Sequence, residues 1–303
     1  MPRDMTDDIT DDVTGDAPDG VTYGLHAPSL EVLAELVAAG DVVVLSGAGL
    51  STESGIPDYR GKTGRSRPAD PMTYQTFTGS VAARRRYWAR SHLGWRHIAR
   101  AEPNAGHHAV AALQDRGLVA GIITQNVDGL HQAAGAREVI ELHGSLDRVR
   151  CLGCGQRTPR RMLDERLHAA NRDWHGQAGV INPDGDAVIS DDHVETFAVV
   201  DCHTCGGVLK PDVIFFGENV PRPRVDECYD LTGRAGLLLV LGSSLTVMSG
   251  YRFVRHAAEN GIPIVIINQG PTRGDSDARM ALDAPLGRAL TSLVSRLDPK
   301  AGL

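Results

Sequence analysis

No run in this chain approaches the roughly eighteen consecutive apolar residues of a membrane-spanning helix, so no span is expected. Positive charge is not in excess either. The formal net charge is -7; residues 1–20 carry seven Asp against Arg3, giving -6 and leaving about -1 for the rest. A near-neutral body argues against a general nucleic-acid footprint, which needs a net basic face. The first twenty residues lack an apolar core of signal-peptide length and are acid-rich where a mitochondrial transit peptide is acid-poor. A cytoplasmic location is therefore expected, with 1–25 as a disordered, solubilising acidic tail. No internal repeat is present.

What is present is a series of short, almost continuous apolar runs: Val42–Ser46, Val119–Thr124, Val139–Leu142, Leu237–Leu241 and Ile264–Ile267. Runs without alternation fit strands buried on both faces, as in a parallel sheet. Helical patterns lie between them, at Gly106–Gln114, Tyr251–Glu259 and Gly287–Arg296. Strands alternating with helices predict an α/β fold, a doubly wound parallel sheet of Rossmann-like form. Residues 61–103 read as a loop followed by helices. The division expected is a sheet domain over 26–147 and 211–303, interrupted by a small module at 148–210.

Five polar or glycine clusters follow the C-terminal ends of proposed strands: Gly47-Ala48-Gly49 with Ser51, Gln125-Asn126-Val127-Asp128, His143-Gly144, Gly242-Ser243-Ser244 and Asn268-Gln269-Gly270. In an open parallel sheet those ends line one crevice, where ligands bind. Glycines at the first turn let the backbone approach a pyrophosphate, although Thr52 stands where a full dinucleotide fingerprint has its third glycine. Within the crevice, Asp128 can accept from a carboxamide, and Gln125 and Asn126 can pair with sugar hydroxyls. His143 is the general-base candidate, since an imidazole titrates near neutral pH. His131 reads as structural, and His107 and His108 as capping or surface residues of a helix.

Cys151-x-x-Cys154 and Cys202-x-x-Cys205 make a zinc signal: two thiolates per knuckle complete a tetrahedral sulphur site. Four protein ligands leave no position for water, so the metal is expected to be structural. Cys228 reads as a buried or incidental thiol. Val213–Phe216 suits an extended strand with an edge able to pair with a peptide backbone.

Together these residues resemble the sirtuin family of NAD-dependent protein deacylases. The matching runs are Gly47–Ser51 through Gly55-Ile56-Pro57-Asp58-Tyr59-Arg60, Thr124–His131, His143-Gly144, both cysteine pairs, Lys210–Val213 through Phe216-Gly217-Glu218, and Gly242–Leu245. The acidic insertion between the cysteine pairs, Arg86–Arg90, Ser249–Phe253 and Gly270–Arg273 are similar to the class II branch, which includes the mitochondrial sirtuin linked to ADP-ribosyl transfer and lipoyl removal. Tyr59 and Gln269 depart from the commoner family pattern. The resemblance implies NAD as co-substrate, one structural zinc ion, acylated-lysine proteins as substrates, and His143 and Asn126 as catalytic residues. It implies that Gly47, Ala48, Gly49, Ser51, Ser243 and Ser244 hold the phosphates and adenosine side. Asn268 would bind the adenine ribose and Leu286 pack near the adenine. Asp58, Tyr59 and Arg60 would form a mobile cofactor loop, and Val213 with Phe216, Gly217 and Glu218 would clamp the substrate backbone. Tyr87 and Arg90 stand at a spacing that sirtuins use to read acidic acyl groups, and a basic, solvated helix face with Arg84, Arg85 and Arg86 alongside is the plainer reading of the same residues. Two other uses of such a pocket remain open at this point: protein ADP-ribosyl transfer, and non-catalytic NAD sensing.

Overall fold

The computed structural model describes residues 21–22, 27–59, 71–176, 179, 182, 185–187 and 189–298. Arg60 and the acidic 1–20 segment lie outside the described residues.

In chain order the elements are β1 (Val21–Thr22), α1 (Ala27–Ala38), β2 (Val42–Ser46), a 3₁₀ turn (Ala48–Ser54), α2 (Tyr74–Gly79), α3 (Val81–Ile98), α4 (Ala105–Asp115), β3 (Val119–Thr124), α5 (Leu130–Ala133) and β4 (Val139–Glu141). They continue as β5 (Gly144–Cys151), β6 (Arg157–Pro159), α6 (Arg160–Ala170), α7 (Asp191–Glu195), β7 (Leu209–Val213), α8 (Arg222–Gly233), β8 (Leu237–Leu241), α9 (Met248–Glu259), β9 (Ile264–Asn268), β10 (Met280–Asp283) and α10 (Leu286–Arg296).

Seven parallel strands form the main sheet in the order β1-β10-β9-β8-β2-β3-β4. The continuous apolar runs follow from helices on both faces. Successive strand side chains point to opposite sides. Val42 and Val44 therefore pack with Leu33 of α1, Val110 of α4 and Leu290 of α10. Val43 and Leu45 pack with Cys228 of α8 and Phe253 and Ala257 of α9. Helices cover both layers, so β2 and β8 are buried throughout, and the one polar side chain among them, Ser46, is hydrogen-bonded to Thr124. This is the expected doubly wound sheet.

Val21–Thr22, read from the sequence as part of the tail, pairs instead with the outer edge of β10. That edge carries unpaired backbone groups, which two extended residues can satisfy. The first glycine turn enters a short 3₁₀ turn rather than a long α-helix; Gly55, at φ 82°, closes it.

A second, antiparallel sheet in the order β6-β5-β7 carries the cysteine pairs. Its core is shared with α2 and α3: Phe77, Tyr87, Trp88, Leu163, Phe197 and Phe215 pack together with Cys151 and Cys202. The expectation of a strand over Val213–Phe216 is corrected here. The strand is Leu209–Val213, and its hydrogen bonds go to β5. Beyond it, the Ile214 N–H donates to His143 O (2.8 Å), and Phe216 forms only an isolated bridge with Thr73. The chain must turn there because Lys210, on the same strand, reaches forward to fix the following loop from inside.

Candidate functional site

The loops after β2, β3, β4, β8 and β9 open into one cavity of about 710 Å³. Gly47, Ala48, Gly49, Ser51, Asp58, Tyr59, Gln125, Asn126, Val127, Asp128 and His143 all line it. So do Val213, Phe216, Gly217, Glu218, Gly242, Ser243, Ser244, Asn268, Gln269, Gly270 and Leu286. Every predicted site residue of the sheet crevice that is described is therefore in one place.

The glycines make that possible by close approach. Gly49 N–H donates to Gly242 O (2.8 Å), and a Cβ on Gly49 would stand 2.8 Å from the same oxygen. The loops after β2 and β8 thus cross with no room for a side chain, leaving backbone facing the cavity. Gly144 is as constrained: its φ is +83°, and a Cβ there would fall 2.0 Å from Asp212 O. Glycine lets β5 start directly under β7, and this sets His143 between the two sheets.

The polar groups are locked by one another. Asn126 Nδ2 donates to Gly47 O and Ser51 Oγ, both at 3.0 Å. Since a carbonyl only accepts, the amide is oriented with Oδ1 as its remaining acceptor. Ser51 Oγ in turn donates to Asp128 Oδ2 (2.7 Å), and Leu130 N–H donates to Asp128 Oδ1 (3.0 Å). Burial lifts the Asp128 carboxyl above the usual carboxylate range against those bonds. Behind them, His131 Nε2–H donates to Ser46 Oγ (2.8 Å), which donates to Thr124 Oγ1 (2.9 Å). His131 is 2% exposed and lies outside the cavity lining, a structural residue as read from sequence. His107 caps α4, its Nδ1 accepting from the Asn104 N–H, and is buried.

His143 is held at both ring nitrogens. Nδ1 faces Gln125 O at 2.9 Å, so it must carry the proton and donate. Nε2 is then the bare nitrogen, and it accepts from Ser249 Oγ at 2.9 Å. Desolvation by burial brings the imidazole down to about 4; the Gln125 bond opposes this, while Arg224 and Arg252 reinforce it. The ring is neutral at physiological pH, the form a base requires. Ser249 opens the Ser249–Phe253 run that resembles the class II branch, but the sequence assigns it no role, and no spacing signal links it to a histidine 106 positions earlier.

The loop from Val213 to Glu218 is also fixed from within. Lys210, 4% exposed, donates to Pro211 O (3.1 Å) and Val213 O and pairs with Glu218 Oε2 (3.0 Å). Glu218 accepts from Phe215 N–H (2.9 Å), so the turn from Val213 to Glu218 closes on an internal ion pair. Tyr74 N–H donates to Phe216 O (2.9 Å), and Gln75 Nε2 to Gly217 O (3.0 Å).

Tyr87 and Arg90 separate. Tyr87 lines the cavity beside Ile56, Leu146 and Phe215. Arg90 does not: its Nε donates to Ala187 O (2.8 Å) and pairs with Asp186 (3.2 Å), in the insertion. Neither reading of Arg90 fits these contacts: it lies outside the cavity lining, and its guanidinium is held by the insertion rather than solvated. On a helix, positions three apart share a face but not a neighbour, and an acidic segment packed against α3 captures the guanidinium.

The four Sγ atoms of Cys151, Cys154, Cys202 and Cys205 lie within 4.8 Å of one another. Cys151–Cys205 is 3.5 Å and Cys154–Cys202 is 3.9 Å. A zinc–sulphur bond of about 2.3 Å gives a tetrahedral edge of about 3.8 Å, so the cluster fits zinc. The Thr204 and Cys205 amides hold the Cys202 thiol down to about 6, favouring the thiolate ligand. With four protein ligands the site is structural.

Compared with known proteins, residues 47–249 match the profile of the Sir2 family. The chain belongs to the Sir2 family. This sirtuin is 60% identical over 273 residues to NAD-dependent protein deacetylase 1 of Streptomyces coelicolor, covering 90% of this chain and 91% of the relative. It is 52% identical over 278 residues to NAD-dependent protein deacetylase 1 of Mycobacterium avium, covering 90% and 97%. Among solved structures, a Sir2 complex with a p53 peptide and NAD+ matches with a TM-score of 0.72 at 28% identity, covering 88% of this chain and 98% of that one. A Sir2 structure bound to acetylated peptide gives 0.71 at 27%, covering 89% and 99%. Among the described residues of this sirtuin, no helix is long and apolar enough to cross a membrane.

Proposed function

We propose that this sirtuin is an NAD-dependent protein-lysine deacylase, releasing nicotinamide, 2′-O-acyl-ADP-ribose and free lysine. The observation that carries the reading is His143: a neutral imidazole whose bare Nε2 faces the cavity where nucleotide-cradling loops meet the peptide-facing loop. When bound, NAD supplies the reactive glycosidic bond with nicotinamide as a good leaving group. Gly47, Ala48, Gly49, Ser243 and Ser244 offer backbone and hydroxyl groups to the phosphates, and Asn268, Gln269, Gly270 and Leu286 border the adenosine end. Asn126 offers Oδ1 to the nicotinamide ribose, and Asp128 offers its carboxyl to the carboxamide. Val213 with Phe216, Gly217 and Glu218 presents backbone to the peptide. His143 Nε2 takes a proton from a ribose hydroxyl, a role worth roughly 10²–10⁴-fold for a positioned base.

The acyl end of the cavity, bordered by Ile56, Tyr87, Leu146 and Phe215, is apolar, and no Lys or Arg among the described residues lines the cavity. We infer neutral acyl chains as the substrate class, acting in the cytoplasm on acyl-lysine proteins and not on nucleic acid. Residues 148–210 serve as a zinc-held module inserted between 26–147 and 211–303, and the acidic insertion favours the class II branch. The test is incubation with NAD and a panel of acyl-lysine peptides, with products identified by mass spectrometry. Acyl-ADP-ribose is expected. ADP-ribosylated protein without acyl-ADP-ribose would favour the transferase, and an absence of nicotinamide with every peptide would favour a sensing module.

A further inference from the structure

Among the described residues, His143 has no carboxylate partner of the kind that commonly steadies a histidine base: its two nitrogens meet a backbone carbonyl and a serine hydroxyl. Two cations stand near it, Arg224 of α8, which donates to Leu142 O (3.2 Å), and Arg252 of α9. A proton arriving on the ring therefore needs a local acceptor. The hydroxyl of Ser249 is the one at hydrogen-bond distance of the nitrogen that receives it.

Its placement is built in. Ser249 sits in the first turn of α9, and the next residue, Gly250, brings that turn against Gln125: a Cβ on Gly250 would lie 2.5 Å from Gln125 Oε1. Gln125 is fixed in turn by its own Nε2, which donates to Ser46 O (3.3 Å) and Ser243 Oγ (2.8 Å). One residue thus anchors both sides of the imidazole, with its carbonyl under Nδ1 and its side chain under the helix that carries Ser249.

We propose that Ser249 is a positioning residue for the deacylation step, its hydroxyl orienting the Nε2 lone pair at rest and accepting from Nε2–H after proton transfer. The proposal rests on the deacylase reading. A hydroxyl is suited to both roles, because it holds one donor and two acceptor sites and turns between staggered rotamers. At rest Ser249 O–H donates to Nε2. The incoming ribose hydroxyl takes its place, and the proton passes to Nε2. The O–H bonding pair stays on the oxygen that attacks the acyl carbon. The imidazolium Nε2–H then donates to Ser249 Oγ, with no carboxylate required.

Ser249→Ala and Ser249→Thr in the full chain test this. In ligand-free protein carrying isotope-labelled histidine, nitrogen resonances should show His143 as the Nδ1–H tautomer. Ser249→Ala should move Nε2 toward the position of a free imine nitrogen, and Ser249→Thr should restore it. With NAD and acetyl-lysine peptide, nicotinamide exchange, which precedes the base step, should stay near wild type in Ser249→Ala. Deacylation kcat should fall roughly ten- to hundredfold and recover in Ser249→Thr. Full deacylation by Ser249→Ala with an unmoved Nε2 resonance overturns the proposal. So does a parallel loss of exchange and deacylation that threonine fails to repair. A wild-type enzyme that releases no nicotinamide with any acyl peptide counts against the deacylase reading instead, and the nitrogen resonances then still decide the contact.

Discussion

Replacing His131 by glutamine should make this protein less sensitive to acid. His131 is buried, and its ring stands edge-on to His107 with centroids 5.2 Å apart. Burial first, and then the neighbouring His107, bring its pKa from 6.5 to about 3. The unfolded ring titrates near 6.5, so between the two values the unfolded chain binds the extra proton. The stabilisation is fully present above 6.5 and is lost as pH falls from 6.5 toward 3. At pH 5 the unfolded ring is almost wholly protonated and the native one almost wholly neutral, which costs about 2 kcal/mol relative to neutral pH. His107 and His143, each brought down to about 4, act in the same direction. Glutamine cannot titrate, and its Nε2 can still donate to Ser46 Oγ. Urea unfolding at pH 7.5 and pH 5.0 measures the loss for each variant separately, so any constant cost of the substitution cancels. The loss should be smaller in His131→Gln by about 2 kcal/mol, a quarter or more of a typical domain's margin at the low end. Equal losses in the two proteins would refute the reasoning.

His143→Ala should abolish deacylation while calorimetry still detects NAD binding, whereas Asn126→Ala should weaken nicotinamide exchange as well; near-wild-type deacylation by His143→Ala would remove it as the base. Arg90→Met should lower thermal stability by loosening Asp186 and Ala187 from α3, about 1.5–3 kcal/mol for a charge-assisted bond, with no selective loss on carboxyl-terminated acyl peptides. A selective loss on those peptides would return Arg90 to the acyl pocket. Cys202→Ala should lower zinc content and melting temperature together, since thiolate zinc sites contribute on the order of 10–16 kcal/mol of binding energy, part of it folding energy; a zinc-free, folded and active protein would contradict a structural metal. Gly144→Ala forces a side chain to within 2.0 Å of Asp212 O at φ +83°, and should cost more than about 2 kcal/mol in urea unfolding.

Much of this molecule is set by local pattern. Val42–Ser46, Val119–Thr124 and Leu237–Leu241 form strands at the bounds their composition predicts, because helices cover both faces of the sheet and all their positions but Ala120 are buried. The cysteine pairs declare a metal cluster because two-residue spacing brings each pair of thiolates together whatever surrounds them. The polar clusters converge because parallel strands end on the same side. Other features depend on contacts between distant, irregular segments, where no periodicity constrains the partner. Val213–Phe216 is apolar enough for a strand, yet buried Lys210 and half-buried Glu218 close it into a turn through an ion pair. Arg90 has the spacing of a pocket residue, but the insertion offers it Asp186 and the Ala187 carbonyl instead. Ser249 meets His143 only because α9 packs its first turn against Gln125. The residue types near His143 were legible in the sequence; which of its nitrogens is bare, and what holds it, depends on two loops and a helix meeting in space.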